Sequence, residues 1–225
     1  MLKFLKKGKF WVYVITVAAI VIVLCIACIS LFGGKALSFD ATFYYVCYDS
    51  PPDDSSIVSV SNLVHSYGGA GYIASCNNKS YVVVSCYYSN EDATAVCNQL
   101  NRKGLSCGVV KAEVPERKLL GSAKSNMEKY LGNLNTLYSI SKSCYNLANS
   151  VDKFEVGQQG AKSVLGEIKT ALKGLAGSNG QNCFIKELEY LIAECEDVSY
   201  GYVFSYDIRR LQIAVCDSIV NVNIY

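Results

Sequence analysis

The sequence predicts an α+β protein in three parts: an N-terminal transmembrane helix, a ferredoxin-like βαββαβ domain with an antiparallel sheet, and a C-terminal helical bundle. Three observations carry this. Residues 10–32 read FWVYVITVAAIVIVLCIACISLF, 23 residues without a charge, Pro or Gly. Residues 39–115 hold short β-branched and aromatic runs separated by turn residues and two helical patterns. Residues 116–178 and 182–222 carry apolar side chains at helical spacing.

The apolar run comes first. At a rise of about 1.5 Å per residue it is ~35 Å long, enough for a hydrocarbon core of ~30 Å. Lys3, Lys6, Lys7 and Lys9 precede it, and only Lys35 follows closely. The positive-inside bias puts residues 1–9 in the cytoplasm and the roughly 190 residues after Gly33 outside. Trp11 and Tyr13 stand at the cytoplasmic end, where amphipathic rings prefer to lie. A cleavable signal peptide would have a shorter apolar core and a small-x-small site, which Gly34-Lys35-Ala36 serves poorly. A lipoprotein box fits Leu24-Cys25-Ile26-Ala27-Cys28 badly. The expected location is therefore the cell membrane, single-pass, with the bulk of the chain extracytoplasmic. With a net charge of +2 there is no polybasic surface to suggest nucleic acid as a partner.

The second part, residues 39–116, begins with a strand at Phe43-Tyr44-Tyr45-Val46-Cys47-Tyr48, broken by Pro51-Pro52. Ile57, Val60, Val64 and Tyr67 then recur at helical spacing, and Gly68-Gly69 stops that helix. Gly71 to Cys76 reads as a strand, with a turn at Asn77-Asn78. The pattern repeats. Tyr81 to Tyr87 is a strand, Ser89 with Asp92 a capping box, and Ala93, Val96, Cys97 and Leu100 one apolar helix face. Gly104 caps that helix, and Leu105 to Val110 is the last strand. The order βαββαβ puts both helices on one sheet face and leaves the other open.

The third part, residues 117–225, shows three stripes. Met127, Leu131, Leu134, Tyr138, Ser141, Tyr145 and Ala148 make one; Val164, Leu165, Ile168, Leu172 and Leu175 another. Leu188, Leu191 and Cys195, then Ile208, Leu211, Val215, Ile219 and Val222, make a third, with a break near Tyr200-Gly201. Such faces must be buried, in a bundle of three or four helices or against protein partners.

Eleven cysteines raise metal and disulfide chemistry. Cys25 and Cys28 lie in the apolar run; no CxxC lies outside it, and His65 is the only histidine. Zinc held by close cysteine pairs is therefore not expected, nor is any cofactor. The other nine serve either as small buried hydrophobes or in disulfides, which the compartment permits. A lone histidine, no GxSxG and no HExxH leave no usual catalytic constellation, so no enzyme is expected.

The run Val82-Val83-Val84-Ser85-Cys86-Tyr87-Tyr88-Ser89-Asn90-Glu91-Asp92-Ala93 resembles the signature of SPOR (sporulation-related repeat) domains. Those carry a strand of the type V-Q-V-G-S-F, a polar turn, and a helix beginning near an Ala. Asn101-Arg102-Lys103-Gly104-Leu105 is similar to the family's passage into its last strand. The resemblance covers residues 42–116, about 75 residues. It implies binding of peptidoglycan glycan strands in cell division or sporulation, on the open sheet face. The alternation assigns Tyr81, Val83, Ser85 and Tyr87 to that face, and Val82, Val84 and Cys86 to the helices. Aligning the first strand by its cysteine adds Tyr44, Val46 and Tyr48 to the open face, so the candidate glycan contacts are Tyr44, Tyr48, Tyr81, Val83, Ser85 and Tyr87. Val83 stands where the family has Gln, Ser85 where it has Gly, and Tyr87 where it has Phe, so weak affinity is expected. The alternative for these tyrosines is packing against the C-terminal helices. The rival function is a structural or assembly subunit of a membrane complex; a sheet face sealed by residues 182–222 would favour it.

Overall fold

A computed structural model describes residues 35–49, 56–76, 79–119, 127–178 and 182–221. The anchor at 10–32, the Asn77-Asn78 turn and Val222 lie outside the described residues. Among the described residues no helix is long and apolar enough to cross a membrane. The chain forms two compact units. The smaller comprises residues 1–37 and 117–127. Its described part is an antiparallel ribbon that the sequence reading missed: β1 (Lys35–Leu37) pairs Lys35 with Leu119 and Leu37 with Arg117 of β6 (Arg117–Leu119).

The larger unit, Ser38–Glu116 with Glu128–Tyr225, joins the sheet and the helices in one body. The separation at residue 116 into a sheet domain and a helical domain is therefore not seen. Its order is β2 (Thr42–Tyr48), α1 (Ile57–Ser66), β3 (Tyr72–Cys76), β4 (Lys79–Tyr87), α2 (Asn90–Arg102) and β5 (Cys107–Glu113), then four helices. These are α3 (Met127–Asp152), α4 (Gln158–Ser178), α5 (Asn182–Tyr200) and α6 (Ser205–Asn221). The sheet order is β3-β4-β2-β5 with every neighbour antiparallel, as the βαββαβ order predicts.

The local signals act as their chemistry requires. Ser89 Oγ accepts from the Asp92 N–H at 3.2 Å and starts α2. Gly104, at φ +94°, ends it. Gly68, at φ +78°, turns the chain out of α1, and the Gly69 N–H returns to the Val64 carbonyl at 3.0 Å. Gly69 then lies flat against the sheet: a Cβ there would stand 2.6 Å from Val84 Cγ1 and 2.7 Å from Val64 Cγ1. Gly69→Ala should therefore destabilise the unit by about 1–3 kcal/mol, because two core valines must move. Gly174→Ala, in mid-α4 with no neighbour within 4 Å, should stabilise it by about 0.5–1 kcal/mol. Urea midpoints of the two variants check the pair; equal midpoints would remove the close approach at Gly69.

The open sheet face is not open. One face packs Val46, Val82 and Val84 against Val64 of α1 and against Ala93 and Cys97 of α2. The other is covered by α6 and α3. Cys86 Sγ lies 3.7 Å from Cys216 Sγ of α6, and Gln212 Nε2 donates to the Cys86 carbonyl at 3.2 Å. Phe43 packs tilted, and Tyr88 edge-on, against Tyr138 of α3. α6 is buried on every side, with Ile208, Leu211, Ile213, Val215, Ile219 and Val220 all in the core. Its outer side meets α5: Arg210 pairs with Glu194 at 3.1 Å, and Ser218 donates to Glu187. The α3 stripe is met in part: Leu134, Ser141 and Ala148 are buried as read, but Leu137, Ile140, Cys144 and Leu147 are buried beside them. The α4 stripe is as read, with Leu165, Ile168, Leu172 and Leu175 buried.

Candidate functional site

The six residues assigned to a glycan face do not share a solvent-facing surface. A bulge between Val46 and Cys47 makes Val46 pair with Ser85 but Cys47 with Val83. The phase of β4 inverts there. Val82 and Val84 face α1 and α2 as expected, but Cys86 turns to α6. Ser85 and Tyr87 pair with Val46 and Tyr44, on the side of α1 and α2. Tyr44, Val46 and Tyr48 also pack into that cluster, opposite to the face assumed from the cysteine alignment. Val83 pairs with Tyr72 and is fully buried. Tyr81 pairs with Ala74 and is half-buried. Val83, Ser85 and Tyr87 are core residues, and Tyr87 meets Tyr145 of α3 edge-on at 6.1 Å. Packing against the C-terminal helices thus accounts for Tyr87. One-residue bulges leave no composition signal, which is why alternation misplaced Ser85 and Tyr87, and the cysteine alignment misplaced Tyr44 and Tyr48.

The covered face is costly at Tyr45. Tyr45 is fully buried and its hydroxyl has no hydrogen-bond partner among the described residues. Burial, with Cys216 and Cys86 beside it, pushes that phenol well above its ordinary range. Tyr45→Phe should remove an unsatisfied polar atom at little packing cost and raise stability by about 1 kcal/mol, read by thermal unfolding. A loss of stability would mean that the hydroxyl has a partner.

The eight described cysteines outside α5's first turn are buried thiols: Cys47, Cys76, Cys86, Cys97, Cys107, Cys144, Cys195 and Cys216. Burial raises all the shifted ones, Cys107 and Cys195 to about 11. Thiols held that high carry little thiolate and are poor nucleophiles. His65 packs edge-on against Tyr206 at 5.5 Å.

What remains for recognition is the outer surface, in two patches. The first is α1. Residues 55–78 hold no charged side chain, and Val58, Leu63 and Tyr67 are exposed, Val58 at 65%. A surface helix without charge is unusual, and only Val64 of α1 is fully buried. The second is an aromatic end made by the α3–α4 and α5–α6 turns. Gln158 fixes the second turn by a reciprocal amide pair with Val203, at 2.9 and 2.7 Å. Arg209 ties α6 to Asn149 and Asp152 at 3.1 and 2.6 Å. From these turns Phe154, Tyr200, Tyr202 and Phe204 project into solvent. Phe154 sits at φ +58°, where the Glu155 N–H returns to the Ser150 carbonyl, a helix end that usually takes Gly. A Phe there costs roughly 1 kcal/mol. Beneath Tyr202 a recess of 140 Å³ is lined by Glu194, Asp197, Asp207 and Arg210; burial raises the Asp207 carboxyl above its ordinary range.

Compared with known protein families, curated proteins and solved structures, the chain shows no match.

Proposed function

We propose that the protein is a membrane-anchored assembly subunit that works by protein–protein contact. On this reading residues 10–32 hold it in the bilayer and the larger unit stands on the extracytoplasmic side. The observation that carries it is the sealed sheet: with α6 and α3 on one face and α1 and α2 on the other, the SPOR-type surface has no room for an extended glycan. The face left for a partner is α1, whose uncharged surface exposes Val58, Leu63 and Tyr67. Apolar patches without charge are a mark of interface centres.

The test reads native size and wall binding together. The full chain, extracted from its membrane in mild detergent, should run as a complex larger than itself. Leu63→Glu with Val58→Glu should shift it to the monomer position, while Asn98→Glu on exposed α2 should not. The same protein should stay in the supernatant with amidase-treated peptidoglycan. Sedimentation with the wall, together with monomeric size for every variant, would return the function to glycan binding.

A further inference from the structure

We infer that Cys86 and Cys216 close a disulfide that fastens α6 to the sheet once the chain is outside the cell. The two sulfurs lie 3.7 Å apart, and both residues are fully buried. They come from different elements, β4 and α6, and from positions 130 residues apart in the chain. At that distance the sulfurs are in van der Waals contact. A disulfide brings them to about 2.0 Å, so the two side chains together must close ~1.7 Å. Rotation about the two Cα–Cβ bonds supplies a movement of that size. Other thiols of the larger unit are turned to carbonyl oxygens instead. Cys97 donates to the Cys107 carbonyl at 3.0 Å, Cys195 to the Leu165 carbonyl at 3.3 Å, and Cys47 to the Tyr45 carbonyl at 3.7 Å. Cys86 faces a second sulfur, and its contact with the Tyr87 carbonyl is longer, 4.0 Å.

The oxidant depends on the extracytoplasmic placement proposed above; the geometry does not. Oxidising compartments carry protein or small-molecule disulfides that exchange with thiols. The thiolate of one cysteine attacks such a disulfide, R–S–S–R, to give a mixed disulfide and R–S⁻. The thiolate of the other attacks the cysteine sulfur of that bond, closes Cys86–Cys216 and expels the second R–S⁻. The pair gives up two electrons and two protons, and the oxidant takes them up as two R–SH. With both sulfurs sealed in the folded unit, the exchange belongs to folding, before α6 closes over β4. A pair so far apart in sequence gains most from the bond, because the cross-link closes a long loop in the unfolded chain. It also falls on the helix whose core side chains cover the second sheet face.

The experiment uses the full chain in the membrane of wall-less cells. Free thiols are blocked with N-ethylmaleimide in denaturant without reductant, and the peptides are mapped. Peptides carrying Cys86 and Cys216 should be recovered joined and should separate only after reduction. Dithiothreitol should lower the thermal midpoint of the detergent-extracted chain by roughly 10 °C. It should leave the midpoint of the double variant Cys86→Val with Cys216→Ala unchanged. N-ethylmaleimide on both residues before reduction, or a bond from either to another cysteine, would overturn the inference. Location is read separately, on Asn98→Cys of exposed α2 with a membrane-impermeant maleimide. Labelling at position 98 with Cys86 and Cys216 both free would overturn the inference alone. No labelling at position 98 would overturn the outside placement and the inference with it.

Discussion

Ending the chain at Phe204, so that α6 is lost, should unfold the sheet as well as the bundle. α6 buries Ile208, Leu211, Ile213, Val215, Ile219 and Val220, at about 1.5–3 kcal/mol for each side chain taken from water. That sum matches or exceeds the whole net stability of an ordinary domain, about 5–15 kcal/mol. It would also bare Tyr45 and Cys86 of the sheet, which lie beside Cys216 of α6. For the same reason residues 38–116 alone should give an undispersed amide NMR spectrum and no cooperative urea transition. In the full chain, Leu211→Ala should cost about 2–5 kcal/mol and lower near-ultraviolet and far-ultraviolet signals through a single transition. A well-dispersed spectrum from residues 38–116 would show an autonomous domain and reopen its second face to ligand.

The order of elements was legible because each is marked locally. Ser89 and Gly104 bound one helix, Gly68 and Gly69 end another, and the β-branched run of β4 is plain in residues 81–84. The second sheet face was not legible. A chain segment at residues 205–221 decides whether it is wet, and no local pattern in residues 42–87 records that contact. The signal that existed lay in α6 itself. Leu211-Gln212-Ile213-Ala214-Val215-Cys216 is apolar around the whole helix except for one Gln, and such a helix belongs in the middle of a protein. Read as a one-sided stripe, it became the wall of a separate bundle. The aromatic end was hidden differently. Tyr200 and Gly201 were visible as a break, but the long-range ties from Gln158 and Arg209 are what gather the two turns.

Acidification from pH 7 toward pH 4 should stabilise the protein at one seam, where α6 meets the edge strand β3. Asp217 accepts from the Ser75 N–H at 3.3 Å, and Asn221 Nδ2 reaches both the Ser75 carbonyl at 2.9 Å and Asp217 at 2.8 Å. These contacts cover the backbone of an edge strand that would otherwise be free to pair. Burial raises the Asp217 carboxyl to about 6; Glu187 adds to this, and the bonds from Ser75, Asn221 and Tyr72 only partly offset it. The folded state therefore holds the proton more tightly than the unfolded chain, whose Asp titrates near 3.9. Between these values the unfolded state loses its proton first, so stability falls as pH rises from about 4 to about 6, and the penalty is constant above that. A shift of roughly two units corresponds to about 2–3 kcal/mol. Asp207, also raised by burial, acts in the same direction, so the wild-type curve alone does not isolate the seam. Asp217→Asn does. Its amide oxygen can still accept from Ser75 while the buried charge is gone. The variant should be more stable than wild type by about 2–3 kcal/mol at pH 7, and the two urea-derived curves should converge near pH 4. A constant offset between them at every pH would mean that Asp217 contributes by packing, and a less stable variant at pH 7 would mean that its charge is needed.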